Sequence, residues 1–86
     1  MASKKETINV SIFSQEGEIY KGEARALFIP YKNEEIAILP EHTPIIALID
    51  SGDIKVVDEQ GKRTITTTKS GILHVGEEEV SVLVNA

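Results

Sequence analysis

The residues that could do chemistry in this sequence are two histidines, His42 and His74, and two runs of adjacent glutamates at 34–35 and 77–79. Paired carboxylates can act as acid and base when their surroundings separate their pKa values. A zinc site usually takes three or four nitrogen or sulfur ligands, and the sequence has no cysteine. No local nucleophile signature such as G-x-S-x-G accompanies the histidines. We therefore expect no catalytic activity, no cofactor and no metal site on this chain.

Two glycines have the spacing of a phosphate-binding loop. Gly17 and Gly22 form G-x-x-x-x-G, but Glu23 and Ala24 follow where a lysine and then a serine or threonine are needed. Without those groups nothing holds the β- and γ-phosphates or magnesium. The residues between the glycines favour a strand, so we interpret Gly17 and Gly22 as turn residues, with a bend at Gly22.

The segment "LPEHTP", residues 39–44, is stiff for its length. Pro40 and Pro44 fix their own φ angles, and the residue before each proline is restricted to extended conformations. The segment therefore presents Glu41 and His42 in an ordered way. Ordered polar groups on a loop suggest binding, and a tight turn in which His42 bonds to local backbone remains the other interpretation.

The elements that must position these residues are predicted to be strands. Twelve isoleucines and seven valines outnumber five leucines, and β-branched side chains favour strands. Apolar and polar residues alternate, as in Ile8–Ile12 and Val80–Val84, and no helical i, i+3, i+4, i+7 stripe is present. Turn signals recur at residues 14–18, 50–53, 58–62 and 76–79. The pattern predicts one all-β domain over residues 8–86, a small β-sandwich or flattened barrel of about nine or ten short strands with no helical domain.

Alternation also predicts the faces of individual strands. Ala24, Ala26 and Phe28 are expected to share one face, with Arg25 between the first two. His74 alternates with apolar neighbours and is expected on the outer face of its strand.

Composition excludes several classes of partner. The 86 residues have a formal net charge of −5, whereas binding to phosphate backbones relies on a basic surface; we expect no nucleic acid. The N-terminal "MASKKET" lacks the apolar region of a signal peptide, and residues 1–7 are expected to be flexible. No apolar run approaches the roughly 20 residues of a membrane-spanning helix, so we expect no direct membrane insertion.

Several segments together resemble one known family. The stretches "NEEIAILPEHTPIIALIDSGDIKVV", "SGILHV" and "EVSVLVNA", with "VSIFSQEGEIYKGEARAL" before them, are similar to the N-terminal β-domain of the ATP synthase epsilon subunit. The family pattern G-E-[LF]-G-I-[LY]-P-G-H-[AT]-P-L is matched by Glu35 and by the P-x-H-x-P core of Pro40, His42 and Pro44. Gly71 matches the later G-G-[IF]-L.

The resemblance implies a non-catalytic rotor subunit in the central stalk of an F-type ATP synthase. Such a subunit links the gamma subunit to the c-ring, couples proton-driven rotation to ATP synthesis and reaches alpha and beta only through the complex. It would be peripheral, on the cytoplasmic side of the bacterial plasma membrane. The resemblance implies three sets of site residues: Glu34 and Glu35 facing basic polar loops of the c-ring, Ser14 and His42 facing gamma, and Pro40 and Pro44 as scaffold of the interface loop.

Two departures from the family pattern matter. Glu41 stands where the family commonly has glycine and would be strained at positive φ; we expect the prolines to hold the turn instead. The C-terminal helical pair of the family, which can inhibit ATP hydrolysis, is not expected on this chain. The alternative function is an unrelated small β-sandwich module that binds proteins, for instance by adding a partner strand to a sheet edge.

Overall fold

The structure, a computed structural model, describes residues 6–85. Residues 1–5 of the segment predicted to be flexible lie outside the described residues, as does Ala86. The described part forms nine strands: β1 (Ile8–Ser14), β2 (Gly17–Ala24), β3 (Ala26–Tyr31), β4 (Glu34–Ile38), β5 (Ile45–Ile49), β6 (Gly52–Asp58), β7 (Gly61–Thr68), β8 (Ser70–Val75) and β9 (Glu79–Asn85). No helix within residues 6–85 is long and apolar enough to cross a membrane.

The strands form two sheets that pack face to face. The first has five strands in the order β2-β1-β9-β8-β5, and the second has four in the order β4-β3-β6-β7. Neighbours pair antiparallel except β1 and β9, which run parallel. The prediction of an all-β sandwich is confirmed, and so is the approximate number of strands.

The core lies between the sheets because alternate side chains of each strand point inward. In the first sheet Val10, Ile12 and Val82 are buried, and in the second Leu27 and Ile54 face them. β-branched side chains fill most of this layer, which explains the high isoleucine and valine content. The core is thus formed by aliphatic side chains of short strands, with few aromatic residues.

The prediction that Ala24, Ala26 and Phe28 share one strand face is wrong. A bend at Arg25 separates β2 from β3, and the Arg25 amide donates to the Val57 carbonyl at 2.6 Å. Ala24 therefore ends one sheet and Ala26 begins the other, while Phe28 lies half-buried on the outer face of β3.

The predicted bend at Gly22 is also absent, because Gly22 continues β2 opposite Val10. Gly17 does sit at a turn, with φ +134°.

The connections between strands lie at two ends of the sandwich. The β1–β2, β3–β4 and β5–β6 turns lie at one end, which we call the Ser14 end. Two hydrogen bonds join the last two of these turns: the Asp50 amide donates to the Pro30 carbonyl at 3.1 Å, and the Asp50 carboxylate accepts from the Lys32 amide. At the opposite end, which we call the His42 end, lie the β4–β5 loop, the β6–β7 turn and the β8–β9 turn. The two ends separate the residues that sequence analysis singled out.

Two polar clusters tie the sheets together. The buried Thr68 hydroxyl of β7 accepts from the Asn85 amide of β9 at 3.0 Å. On the other side, the Tyr20 hydroxyl of β2 donates to Asp58 of β6 at 3.0 Å, and Arg63 donates to the same carboxylate at 2.8 Å. The Thr68–Asn85 and Tyr20–Asp58 bonds each join a strand of one sheet to a strand of the other, so sliding of the sheets would break them, whereas Arg63 holds Asp58 from the neighbouring strand of its own sheet.

Candidate interaction surface

The outer face of the five-stranded sheet carries an apolar row. Leu48 of β5 is paired with Ile72 of β8, Ile72 with Leu83 of β9, and Leu83 with Phe13 of β1. All four side chains are exposed, Leu48 by 72%. Ile46, 73% exposed, lies two residues before Leu48 on the same face of β5.

Strict alternation of apolar and polar residues along each strand would not place an apolar row on the outer face. A sheet with one solvated face usually carries polar residues there, and contiguous exposed apolar surface typically marks an interaction site. A shallow groove of about 470 Å³ runs along the row and is lined by Leu48, Ile72 and Leu83, with Gln15 and Asn85 at its end. The surface can therefore bind an apolar partner surface.

This row was not predicted from the sequence. The signal was present in the unbroken apolar runs of β5, residues 45–49, and of the end of β9, residues 82–84. Such runs indicate strands whose two faces are both covered. Here one face is covered by the second sheet and the other is left for a partner.

His74 lies beside the apolar row, between Ile46 and Ser81 in the register. Its side chain is exposed on the outer face of β8, which confirms the predicted orientation.

His42 lies in the β4–β5 loop at the His42 end. Its amide donates to the Leu39 carbonyl at 3.2 Å, and Nδ1 lies 2.7 Å from the Thr43 carbonyl oxygen. The structure therefore has the tight turn in which His42 bonds to local backbone. His42 is half-buried, and Leu39 and Thr43 of the same loop are exposed.

The expectation that the prolines spare Glu41 from positive φ is wrong. Glu41 has φ 66°, in the left-handed region where a residue with a Cβ is strained. Pro40 fixes the residue before it, and the chain must then reverse to reach Pro44 and enter β5. The turn between Pro40 and Pro44 therefore places a glutamate at a φ that favours glycine.

Ser14 ends β1 at the opposite end of the sheet. Its hydroxyl accepts from the Glu16 amide at 3.1 Å and so stabilises the β1–β2 turn. From Ile45, which follows the His42 loop, to Ser14 the register spans four residue steps and three strand spacings. These correspond to about 13 Å along the strands and about 14 Å across them. The structure does not bring Ser14 and His42 together; the apolar row crosses the face between them.

Glu34 and Glu35 are the first residues of β4, not turn residues, and lie at the Ser14 end. Successive side chains of a strand point to opposite faces, so the two carboxylates diverge. Glu35, opposite Pro30, lies on the outer face of the four-stranded sheet. There its oxygens are 3.4 Å from Lys55 Nζ and 3.8 Å from Lys62 Nζ.

A polar cleft lies near the β6–β7 turn. It has a volume of about 480 Å³ and is lined by charged residues that include Arg25, Asp58 and Arg63. The Arg63 guanidinium and the Gln60 amide hold the pKa of Asp58 at about 2. Burial, and then the bond to Asp58, raise the pKa of Tyr20. These groups satisfy one another, so the cluster is suited to joining the sheets.

The described residues do not offer a metal centre. No three histidine, aspartate or glutamate side chains between residues 6 and 85 come close enough to hold a metal ion.

Comparison with known proteins places this fold in a family. The family model for the ATP synthase delta/epsilon chain β-sandwich domain matches residues 7–86. The ATP synthase epsilon chain of Alkalilimnicola ehrlichii is 35% identical over 77 residues, covering 90% of this chain and 55% of the relative. That of Clostridium acetobutylicum is 35% identical over 79 residues, covering 92% and 59%. The chain thus spans a little over half the length of these relatives.

Two solved structures share the fold. A chain from the cryo-EM structure of Euglena gracilis mitochondrial ATP synthase, containing OSCP, F1 and c-ring in rotational state 1, matches with a TM-score of 0.85. It is 19% identical, and the match covers 99% of this chain and 54% of that one. A chain from the central stalk and c-ring of Tetrahymena thermophila mitochondrial ATP synthase gives 0.71 at 12% identity, with 98% and 67% covered.

At such identities the structural likeness concerns the fold alone, whereas the sequence matches concern the family. The family model covers residues 7–86, and the two relatives match 90% and 92% of the chain. The chain therefore belongs to the ATP synthase delta/epsilon chain family and contains its β-sandwich domain.

Proposed function

We propose that the chain is a central-stalk subunit of an F-type ATP synthase, where it links the gamma subunit to the c-ring. It does no chemistry itself and couples rotation to ATP synthesis by holding the two parts together. The observation that carries the proposal is the family match over residues 7–86. Through the complex the chain is peripheral to the bacterial plasma membrane, on its cytoplasmic side.

The apolar row supports a protein partner on the five-stranded sheet, and we assign that partner as gamma. Ser14 and His42, the proposed gamma-facing residues, lie at opposite ends of this face. One partner that contacts both would have to cover the row of Leu48, Ile72 and Leu83. Covering it would remove these exposed apolar side chains from water, with the largest gain at Leu48, which is 72% exposed. Pro40 and Pro44 would hold the His42 end of this surface in place.

Glu35 supports a second contact, toward the c-ring. Its carboxylate is 41% exposed on the outer face of the four-stranded sheet, away from the apolar row. A carboxylate in this position suits a basic partner surface. Glu34, whose side chain diverges from that of Glu35, would meet the ring only at the tip of the β3–β4 hairpin.

An unrelated binding module is not favoured, because the family match covers the whole described domain. The decisive experiment mixes the chain with a purified α₃β₃γ core of the same source and examines the mixture by native mass spectrometry. We expect one added copy per core and little inhibition of ATP hydrolysis. Absence of a complex, with a core that still binds a full-length epsilon chain, would refute the proposal.

The ring contact is tested separately with Glu35→Gln. Because the ion pairs of Glu35 are exposed, losing them changes the free energy of unfolding by only about 0–1 kcal/mol. We expect weaker attachment to a gamma–c-ring complex at nearly unchanged melting temperature, with Glu59→Gln, in the β6–β7 turn at the other end of the same sheet, as control. Equal losses of attachment and stability would contradict the assignment.

A further inference from the structure

The outer face of the four-stranded sheet holds a charge cluster built from three strands. Glu35 lies on β4, Lys55 on β6 and Lys62 on β7. Lys55 is paired in register with Phe28 of β3, and Lys62 Nζ lies 4.2 Å from the centre of the Phe28 ring. The aromatic ring therefore lies among the charged groups and helps to hold one of the two cations.

Glu35 is not available to a partner without competition. Lys55 and Lys62 approach different oxygens of its carboxylate, at 3.4 Å and 3.8 Å. A basic group on a partner would have to replace one or both ammonium groups, and it would be repelled by both of them while it did so. The cation–π contact makes Lys62 the harder one to displace, because an attracted ammonium loses that attraction when it moves away.

We propose that Lys55 and Lys62 are specificity-determining residues of the ring-facing surface, which weaken its docking by occupying Glu35. This inference rests on the proposed function. The two lysines disfavour a partner that offers a single cation, because one new ion pair does not replace two. A partner that presents several basic groups in a ring can break both lysine–Glu35 ion pairs and still gain binding free energy from its other contacts. The lysines therefore favour a partner with repeated basic groups over one with a single basic group.

The cluster contributes little to folding, which makes the inference testable. Exposed ion pairs have small effects on stability. Leu27, Ile29 and Val56 belong to the buried core, and neither lysine does. Variants at Lys55 and Lys62 are therefore expected to fold with nearly wild-type melting temperatures, so that a change in docking can be read directly.

The experiment measures the dissociation constant of the full chain for a purified gamma–c-ring complex. Lys55→Gln and Lys62→Gln are each expected to tighten docking by about two- to fivefold, the range that corresponds to one exposed ion pair. Lys69→Gln, in the connection between β7 and β8, makes the same change in net charge three strands away from Glu35 and serves as the matched control. We expect it to leave the dissociation constant within twofold, roughly the effect of general charge alone.

A second measurement separates competition for Glu35 from plain removal of positive charge. In a Glu35→Gln background, Lys55→Gln should tighten docking much less than it does in the wild-type chain, because no carboxylate is left to release. Equal effects in both backgrounds would overturn the inference.

The outcomes also distinguish this inference from the proposed function. If Glu35→Gln weakens docking while both lysine variants leave it unchanged or weaken it, the ring-facing role of Glu35 holds and the inference is wrong. If neither the wild-type chain nor any variant binds the complex, or if Glu35→Gln has no effect, the ring-facing role itself fails and the inference fails with it.

Discussion

The apolar row makes the strongest prediction, because its surface is exposed in the chain alone and would be covered in the complex. The perturbation is Leu48→Thr. Threonine is β-branched, which suits a strand, and it removes most of the exposed apolar surface. Since Leu48 points outward from β5, away from the core, the substitution acts on the partner contact and leaves the packing between the sheets intact.

The magnitude follows from the exposure of Leu48. Fully burying a leucine is worth about 1.5–3 kcal/mol relative to leaving it exposed. Leu48 is 72% exposed, so a partner that covers it gains about 1–2 kcal/mol of binding free energy from this side chain. Losing that gain corresponds to an increase of about five- to thirtyfold in the dissociation constant.

The assay is titration of the variant against a purified α₃β₃γ core, with thermal unfolding measured in parallel. Surface substitutions usually change the free energy of unfolding by less than about 0.5 kcal/mol, so the melting temperature should fall by no more than about 4 °C. Ile19→Thr, on the opposite edge strand, is the control and should weaken binding less. Unchanged affinity of the Leu48 variant, or a loss of affinity matched by a loss of stability, would refute the proposed gamma face.

Three further predictions concern the fold. Gly71→Ala should destabilise by about 1–3 kcal/mol, measured by urea unfolding, because a Cβ there would collide with the Leu83 carbonyl and the Ile49 side chain; an unchanged midpoint would contradict this. Asp58→Asn should reduce the loss of stability in acid, because folding lowers the pKa of Asp58 from its usual 3.8 to about 2. The ionised Asp58 carboxylate therefore stabilises the fold above about pH 4, and this stabilisation is lost as the pH falls through 2. A dependence of stability on pH identical to that of the wild type would argue against the Arg63 pairing. Glu41→Gly should melt about 4–8 °C higher than Glu41→Ala, the equivalent of about 1 kcal/mol of relieved strain, because both variants remove the same side-chain contacts and only glycine adopts φ 66° without strain; equal melting temperatures would contradict this.

The fold could be predicted from the sequence because its signals are local and repeated. Alternation in Ile8–Ile12 and Val80–Val84, together with the turn signals at residues 14–18 and 58–62, predicts strands and their connections in chain order. What alternation does not contain is the point where a chain leaves one sheet for the other. Between Ala24 and Ala26 that change is made by a bend with no glycine or proline, and the face assignment failed there.

The candidate surface was harder to predict because it depends on neighbours distant in sequence. Leu48, Ile72, Leu83 and Phe13 come from four strands, and only the register places them in one row. The same holds for Glu35, whose two lysine partners lie 20 and 27 positions later in the chain. The positive φ of Glu41 could not be predicted for a different reason. Proline restricts the residue before it, but the direction of the chain between Pro40 and Pro44 depends on where β4 ends and β5 begins.

A chain that links two partners must carry load from one contact to the other. Here the apolar row lies on the outer face of one sheet and Glu35 on the outer face of the other, so any force between the two proposed partners passes through the core. The core is a layer of close-packed branched side chains, which resists deformation, and bonds at both sides cross it: Thr68 to Asn85 and Tyr20 to Asp58. These bonds are directional and oppose sliding, whereas apolar packing mainly opposes separation. The two kinds of contact together make the sandwich resist both sliding and separation of its sheets, and transmission of rotation between the two outer faces requires both.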